Sequence, residues 1–187
     1  MPGPLALCRA LLAAPVIGGF ALDQSVRPFY GKAMPDPIIY VDSDACPVKE
    51  EARRVAERLS LVVTYVSNGG VRPSRDPMVK VVVVPSGADA ADDWIVEQAQ
   101  PNDIVLTADI PLASRAIDKG CHVLGFTGKP FTPASIGMAL AMRDLKQHLR
   151  ETGEIKGYNP GFRPADRSAF LSALDTLGRK AMTLAAK

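Results

Sequence analysis

Ile38-Ile39-Tyr40-Val41 is an uninterrupted apolar run that stops at Asp42, the form of a strand buried on both faces. Pro47 suits the first position of a helix, and Val48, Ala52, Val55, Ala56 and Leu59 then recur at helical spacing. Leu61 to Val66 is the next β-branched run, closed by Ser67-Asn68-Gly69-Gly70, and a link containing Pro and Arg leads to Val81-Val82-Val83-Val84. Asp89 to Ala99 reads as a helix, Ile104-Val105-Leu106 as a strand, Pro111 to Lys119 as a helix and Cys121 to Leu124 as a strand. A longer helix is expected from Pro133 to Arg150, packing Ile136, Met138, Met142, Leu145 and Leu149. A loop over Gly153 to Arg163 and a terminal helix from Ala165 to Leu177, with Phe170, Leu171 and Leu174 facing inward, complete the chain. Strands that alternate with helices of this length predict a three-layer α/β fold: a mostly parallel sheet, built by right-handed crossovers, with helices on both faces.

Residues 1–34 break this pattern. Leu5 to Leu22 is apolar but is interrupted by Arg9, Pro15 and Gly18-Gly19, which suits neither a membrane span nor a signal peptide. Residues 1–34 are expected to be a poorly structured N-terminal extension, and 35–187 a single domain.

Charge narrows the function classes. The 22 Lys and Arg against 20 Asp and Glu give +2, too little for a protein that holds nucleic acid by net charge alone. Cys8, Cys46 and Cys121 include no C-x-x-C pair, so neither a disulfide scaffold nor a thiolate zinc site is expected, and a cytoplasmic location fits. The charges are unevenly placed. Residues 81–114 contain no Lys or Arg but carry Asp89, Asp92, Asp93, Glu97, Asp103 and Asp109, while the flanking intervals are rich in basic residues. In a parallel sheet every strand opens its C-terminal end onto one edge, where ligands bind. Asp42 and Asp44 follow the first strand, Asp89, Asp92 and Asp93 the third, and Asp109 the fourth, so all share that edge.

Two bare carboxylates on neighbouring strands ~5 Å apart repel by roughly 3 kcal/mol at an effective dielectric near 20. A shifted pKa, a basic side chain or a hard divalent cation must compensate. Oxygen ligands without a His cluster favour Mg²⁺ or Mn²⁺ over zinc, and such an ion activates water and stabilises charge on a phosphoryl group. Competing structural roles exist: Asp89 as a helix N-cap with Asp92 and Asp93 in its first turn, and Asp103 as a turn residue. Among the basic residues, Arg143, Lys146 and Arg150 form one helix stripe and Arg115 with Lys119 an i, i+4 pair, able to track a phosphate backbone or simply to form a solvated face. Lys49, close after the first strand, could contact a phosphate or neutralise carboxylates. Cys46 and His122 read as core residues and His148 as solvated.

Ile38 to Lys49 (IIYVDSDACPVK), GADAADDW at 87–94, LTADIPLASRAIDKG at 106–120 and IGMALAMRDL at 136–145 together resemble the YaiI/YqxD family of bacterial proteins. The resemblance covers about residues 37–180. That family is grouped with the PIN-like nuclease superfamily, which implies a PIN-like fold and a divalent metal, Mg²⁺ or Mn²⁺, used to cleave RNA. It implies that Asp42 and the Asp109 of Thr107-Ala108-Asp109 are the catalytic metal ligands, with Asp44 and Asp92 or Asp93 in support. Lys49, Thr107, Arg115, Lys119 and Arg143 are the candidate substrate contacts, and single-stranded RNA is the expected partner, with no membrane association. Two alternatives stand beside this reading. A haloacid-dehalogenase-like phosphatase would use Asp42 as nucleophile, Asp44 as general acid/base and Thr107 as phosphate ligand, although Asp92 and Asp93 precede Thr107 where that superfamily places its paired acids later. A catalytically inactive PIN-like protein would bind nucleic acid without cleaving it.

Overall fold

Ile39–Asp42 forms strand β1, and the parity of its side chains decides which layer each one enters. Ile39 and Val41 point into a core shared with Val55, Ala56 and Leu59 of helix α1 (Lys49–Leu59) and with Phe170, Leu174 and Ala181 of the terminal helix α5 (Pro164–Ala185). Tyr40 points the other way. Its ring meets Trp94 edge to face at 6.2 Å, and its hydroxyl donates to the carbonyl of Gln98 at 3.4 Å. Both partners lie on helix α2 (Ala90–Gln98). Helix α3 (Ile110–Asp118) buries Leu112, Ala113 and Ala116. The computed structural model describes residues 35–44, 46–69, 73–87, 89–153 and 162–187. The expected extension over 1–34, and most of the loop expected after Gly153, lie outside the described residues.

Strands β2 (Val63–Ser67), β3 (Val79–Val83), β4 (Ile104–Leu106), β5 (His122–Leu124) and β6 (Pro130–Phe131) join β1 in one sheet of order β3-β2-β1-β4-β5-β6. All neighbours are parallel except β6, which pairs antiparallel with β5 and was too short to announce itself as a hydrophobic pattern. The architecture is the expected three-layer α/β fold and is consistent with a PIN-like one. Because β2 and β3 extend the sheet to one side of β1 and β4 and β5 to the other, the winding direction reverses between β1 and β4. Asp42 is level with Val66 of β2, and Val41 with Leu106 of β4, so Asp42 and Thr107 flank that reversal at the C-terminal edge.

At the opposite edge Asp103 fulfils its expected turn role. Its buried carboxylate accepts the backbone N–H groups of Ile38 at 2.9 Å and Gln100 at 2.8 Å, pinning the start of β1 to that of β4. Helix α4 (Pro133–Glu151) departs from expectation. It starts on a Thr132–Ser135 capping box with Pro133 in the first turn, as its sequence predicts. Yet it buries none of its residues: Met138, Met142 and Leu145 are 69%, 44% and 49% exposed. It packs chiefly against α3, outside the main core, so Met138, Met142 and Leu145 of the stripe read as core-facing meet solvent instead, while Ile136 and Leu149 are half-buried. Among the described residues no helix is long and apolar enough to cross a membrane.

Candidate functional site

The reversal between β1 and β4 leaves a crevice beyond the strand ends, the usual ligand position in an open α/β sheet. Thr107 organises it. The side chain is fully buried directly after β4, where its hydroxyl donates to Oδ2 of Asp42 at 3.1 Å and accepts the backbone N–H of Asp109 at 2.9 Å. One hydroxyl thus ties the end of β1 to the turn leading into α3. Both bonds of the Thr107 hydroxyl go to residues that bear the candidate carboxylates, so it fixes their relative position. Asp109 is itself the N-cap of α3: Oδ1 accepts the N–H of Leu112 at 2.8 Å, and Pro111 occupies the first turn. The cap engages only one of the two carboxylate oxygens.

Electrostatics link three elements. Burial raises the Asp42 carboxyl above the ordinary range; the Thr107 hydroxyl opposes that rise, while the charges of Asp44 and Asp109 add to it. Asp92, in the first turn of α2, is pushed up to about 6, chiefly by burial and then by the charges of Asp109, Asp42 and Asp89, with Arg115 opposing. Asp42, Asp92 and Asp109 therefore sense one another across the crevice. The spread is nevertheless wider than a metal cage, for among the described residues no three His, Cys, Asp or Glu side chains lie close enough to hold an ion together.

The other candidates fall into different settings. Asp44 is exposed and held by the end of β2: Ser67 Oγ donates to its Oδ1 at 2.5 Å, and the Asn68 N–H approaches Oδ2 at 3.2 Å. Asp93 and Arg115 engage each other at 2.7 Å, tying α2 to α3, which leaves Asp93 directed at a guanidinium rather than at Asp42. Asp89 occupies the N-cap position of α2 in a left-handed conformation, φ 61°, but its side chain makes no capping bond. Lys119 reaches the carbonyls of Val96 and, at 3.4 Å, Glu97 in the last turn of α2. Helices of a parallel sheet run opposite to its strands, so this contact stabilises the far end of the molecule, away from the crevice. Lys49 is exposed at the start of α1, with no carboxylate in ion-pair range among the described residues. Arg143 makes an exposed 3.4 Å contact with Asp144 and lines a cleft with Asp109.

Cys46 is buried and its thiol pushed up to about 11 by that burial, which removes it as a thiolate nucleophile. His122 is half-buried, with burial and Lys180 holding its pKa down, and His148 is exposed. Sequence reasoning missed Ser67 as the support of Asp44 and Thr107 as the link between Asp42 and Asp109. The available signal was a hydroxyl residue immediately following, or ending, a buried strand on the ligand edge.

The model of the family described as "Uncharacterized BCR, YaiI/YqxD family" matches residues 40–180. The chain is 71% identical over 149 residues to a UPF0178 protein of Mesorhizobium japonicum, covering 80% of this chain and 96% of that relative. A UPF0178 protein of Agrobacterium fabrum is 64% identical over 145 residues, 78% of this chain and 95% of the relative. One from Parvibaculum lavamentivorans is 63% identical over 137 residues, 73% and 90% respectively. No solved structure matches. With one family model spanning most of the domain and relatives this similar along nearly their whole length, the chain belongs to the YaiI/YqxD family.

Proposed function

We propose that this protein is a divalent-metal-dependent phosphodiester hydrolase acting on RNA, with Asp42 and Asp109 as its principal metal ligands and Asp92 and Asp44 in support. One observation carries the reading: the buried Thr107 hydroxyl holds the Asp42 carboxylate beside the Asp109 backbone at the point where the sheet reverses its winding. Among the described residues none of Asp42, Asp92 and Asp109 has a Lys or Arg within ion-pair distance, so their mutual repulsion is not relieved by a salt bridge. The all-oxygen donor set suits Mg²⁺ or Mn²⁺. Such an ion would draw these carboxylates inward and oppose the burial and repulsion that raise the Asp42 and Asp92 carboxyls, releasing protons as it binds. When bound it supplies water activation and neutralises charge developing on the phosphoryl oxygens. The chain's own contribution is to fix Asp42 through Thr107, to anchor Asp109 on the α3 terminus and to keep Asp44 at the rim through Ser67.

The test is cleavage of a mixed single-stranded RNA pool with Mn²⁺. Wild type is expected to cleave, and Asp42→Asn and Asp109→Asn to abolish cleavage while remaining folded. If both variants cleave like wild type, the assignment fails; RNA binding without cleavage under any divalent ion would identify an inactive binding protein. Turnover of a small phosphate monoester with a trapped aspartyl-phosphate on Asp42 would identify the phosphatase instead.

A further inference from the structure

Helix α4 is amphipathic in three parts although it buries nothing. Met138, Met142 and Leu145 follow one another at i, i+4 and i+7, an exposed apolar stripe. Arg143, Lys146 and Arg150 follow at i, i+3 and i+7, about a quarter-turn further round the helix. Lys146 and Arg150 have no acidic partner among the described residues, and Arg143 only the exposed Asp144. The basic stripe does not simply face bulk water. It forms one wall of a cleft of ≈ 530 Å³ whose other wall contains Asp109 and Ile110, at the start of α3. The cleft therefore reaches Asp109, one of the candidate site carboxylates.

We propose that α4 is a binding arm for an unpaired polynucleotide strand, its phosphates lying along Arg143, Lys146 and Arg150 and its bases resting on Met138, Met142 and Leu145. The cleavage reading above supplies only what lies at the end of the strand. From Arg143 to Arg150 the helix rises by about 10 Å, so the three cations follow a length of backbone instead of gripping a single phosphate. The thioethers offer bases a polarisable, adaptable surface that reads no edge hydrogen bonds, hence no sequence preference. A second copy of this chain is the poorer occupant. Antiparallel twofold packing of α4 through the methionine stripe would set each copy's basic flank against itself.

The measurement is fluorescence anisotropy of a labelled oligouridylate with the full chain in EDTA, where cleavage is absent and binding is read alone. Three phosphate contacts predict a log affinity against log salt slope of roughly −2. Replacing Arg143, Lys146 and Arg150 together by Ala is expected to flatten that slope and to weaken binding about tenfold or more at ~50 mM salt. Met138→Ser with Met142→Ser is expected to weaken binding severalfold at an unchanged slope, and to have no effect on a duplex, whose bases are paired. These side chains are exposed, so unchanged melting curves verify the folds. No binding by wild type, wild-type affinity and slope in the triple variant, an unaffected double Met variant, or a dimer in sedimentation that disappears with the Met substitutions would each overturn the proposal. Because no metal is present, binding can hold while cleavage fails, and the reverse, which separates the two assignments.

Discussion

Replacing Asp92 by Asn deletes one charge from the crevice while keeping the side chain's size, and the direction of its effect on stability is opposite to that of most polar substitutions. The Asp92 carboxyl rises from the ordinary 3.8 to about 6 because the folded chain half-buries it and sets it near Asp109, Asp42 and Asp89. That rise corresponds to ~3 kcal/mol of folded-state penalty once the group is ionised. Partial solvent exposure and salt screening reduce it to roughly 1–2 kcal/mol. Working against the substitution is the favourable position of a negative charge in the first turn of α2, about 0.3–1 kcal/mol. Repulsion and burial win. Since the folded pKa lies above the unfolded one, the stability held by the protonated form is fully present below pH ~4 and is lost as pH rises through about 6. In EDTA, Asp92→Asn is therefore expected to melt near wild type at pH ~4 and roughly 2–4 °C above it at pH ~8. On the proposed metal site, Mn²⁺ at about 100 times its dissociation constant is expected to stabilise wild type by ~2.7 kcal/mol and the variant by less. Thermal unfolding followed by circular dichroism across this pH range checks the sign. A variant less stable than wild type at pH 8, or a difference that does not change with pH, would refute the idea that Asp92 is strained by its neighbours.

Thr107→Val keeps the buried shape but leaves the Asp109 N–H and one Asp42 oxygen without their partner, an expected loss of about 1–3 kcal/mol in urea unfolding together with a larger loss of RNA cleavage. Thr107→Ser retains the hydroxyl and is expected to keep cleavage; equal activity of the Val and Ser variants would show that the link does not position Asp42. Gly128 sits at φ +80°, and an added Cβ would stand 2.7 Å from the backbone carbon of Ala169 in α5. Gly128→Ala is accordingly expected to cost ~2 kcal/mol or more, since both the left-handed backbone and the approach of α5 must yield, and to lower the melting temperature by several degrees without altering strand binding.

What the sequence disclosed and what it withheld divide along a physical line. Buried strands separated by amphipathic helices follow from periodicity, and right-handed crossovers then bring every strand end to one edge, so Asp42 and Asp109 could be placed together without knowing a single contact. Partners are another matter. Arg115 and Asp93 lie 22 residues apart and meet only because α2 and α3 pack side by side, and Lys119 finds the α2 carbonyls for the same reason. No spacing rule announces either contact. The cap at Asp109 was readable, since Asp109-Ile110-Pro111 carries both an N-cap residue and an early proline, but its resemblance to a metal ligand is equally strong because the same carboxylate can serve a helix with one oxygen and a ligand with the other. The α4 stripe marks the limit most clearly. Hydrophobic periodicity reports that a helix has an apolar face and is silent about what covers it. In Phe170 and Leu174 of α5 that face meets the sheet, whereas in Met138, Met142 and Leu145 of α4 it meets water. Apolar surface left in water contributes nothing to folding; whatever stabilisation it offers is realised only when another molecule removes it from solvent. That the neighbouring stripe is basic and lines a cleft with Asp109 is the reason for proposing a polyanion, rather than another apolar surface, as its occupant.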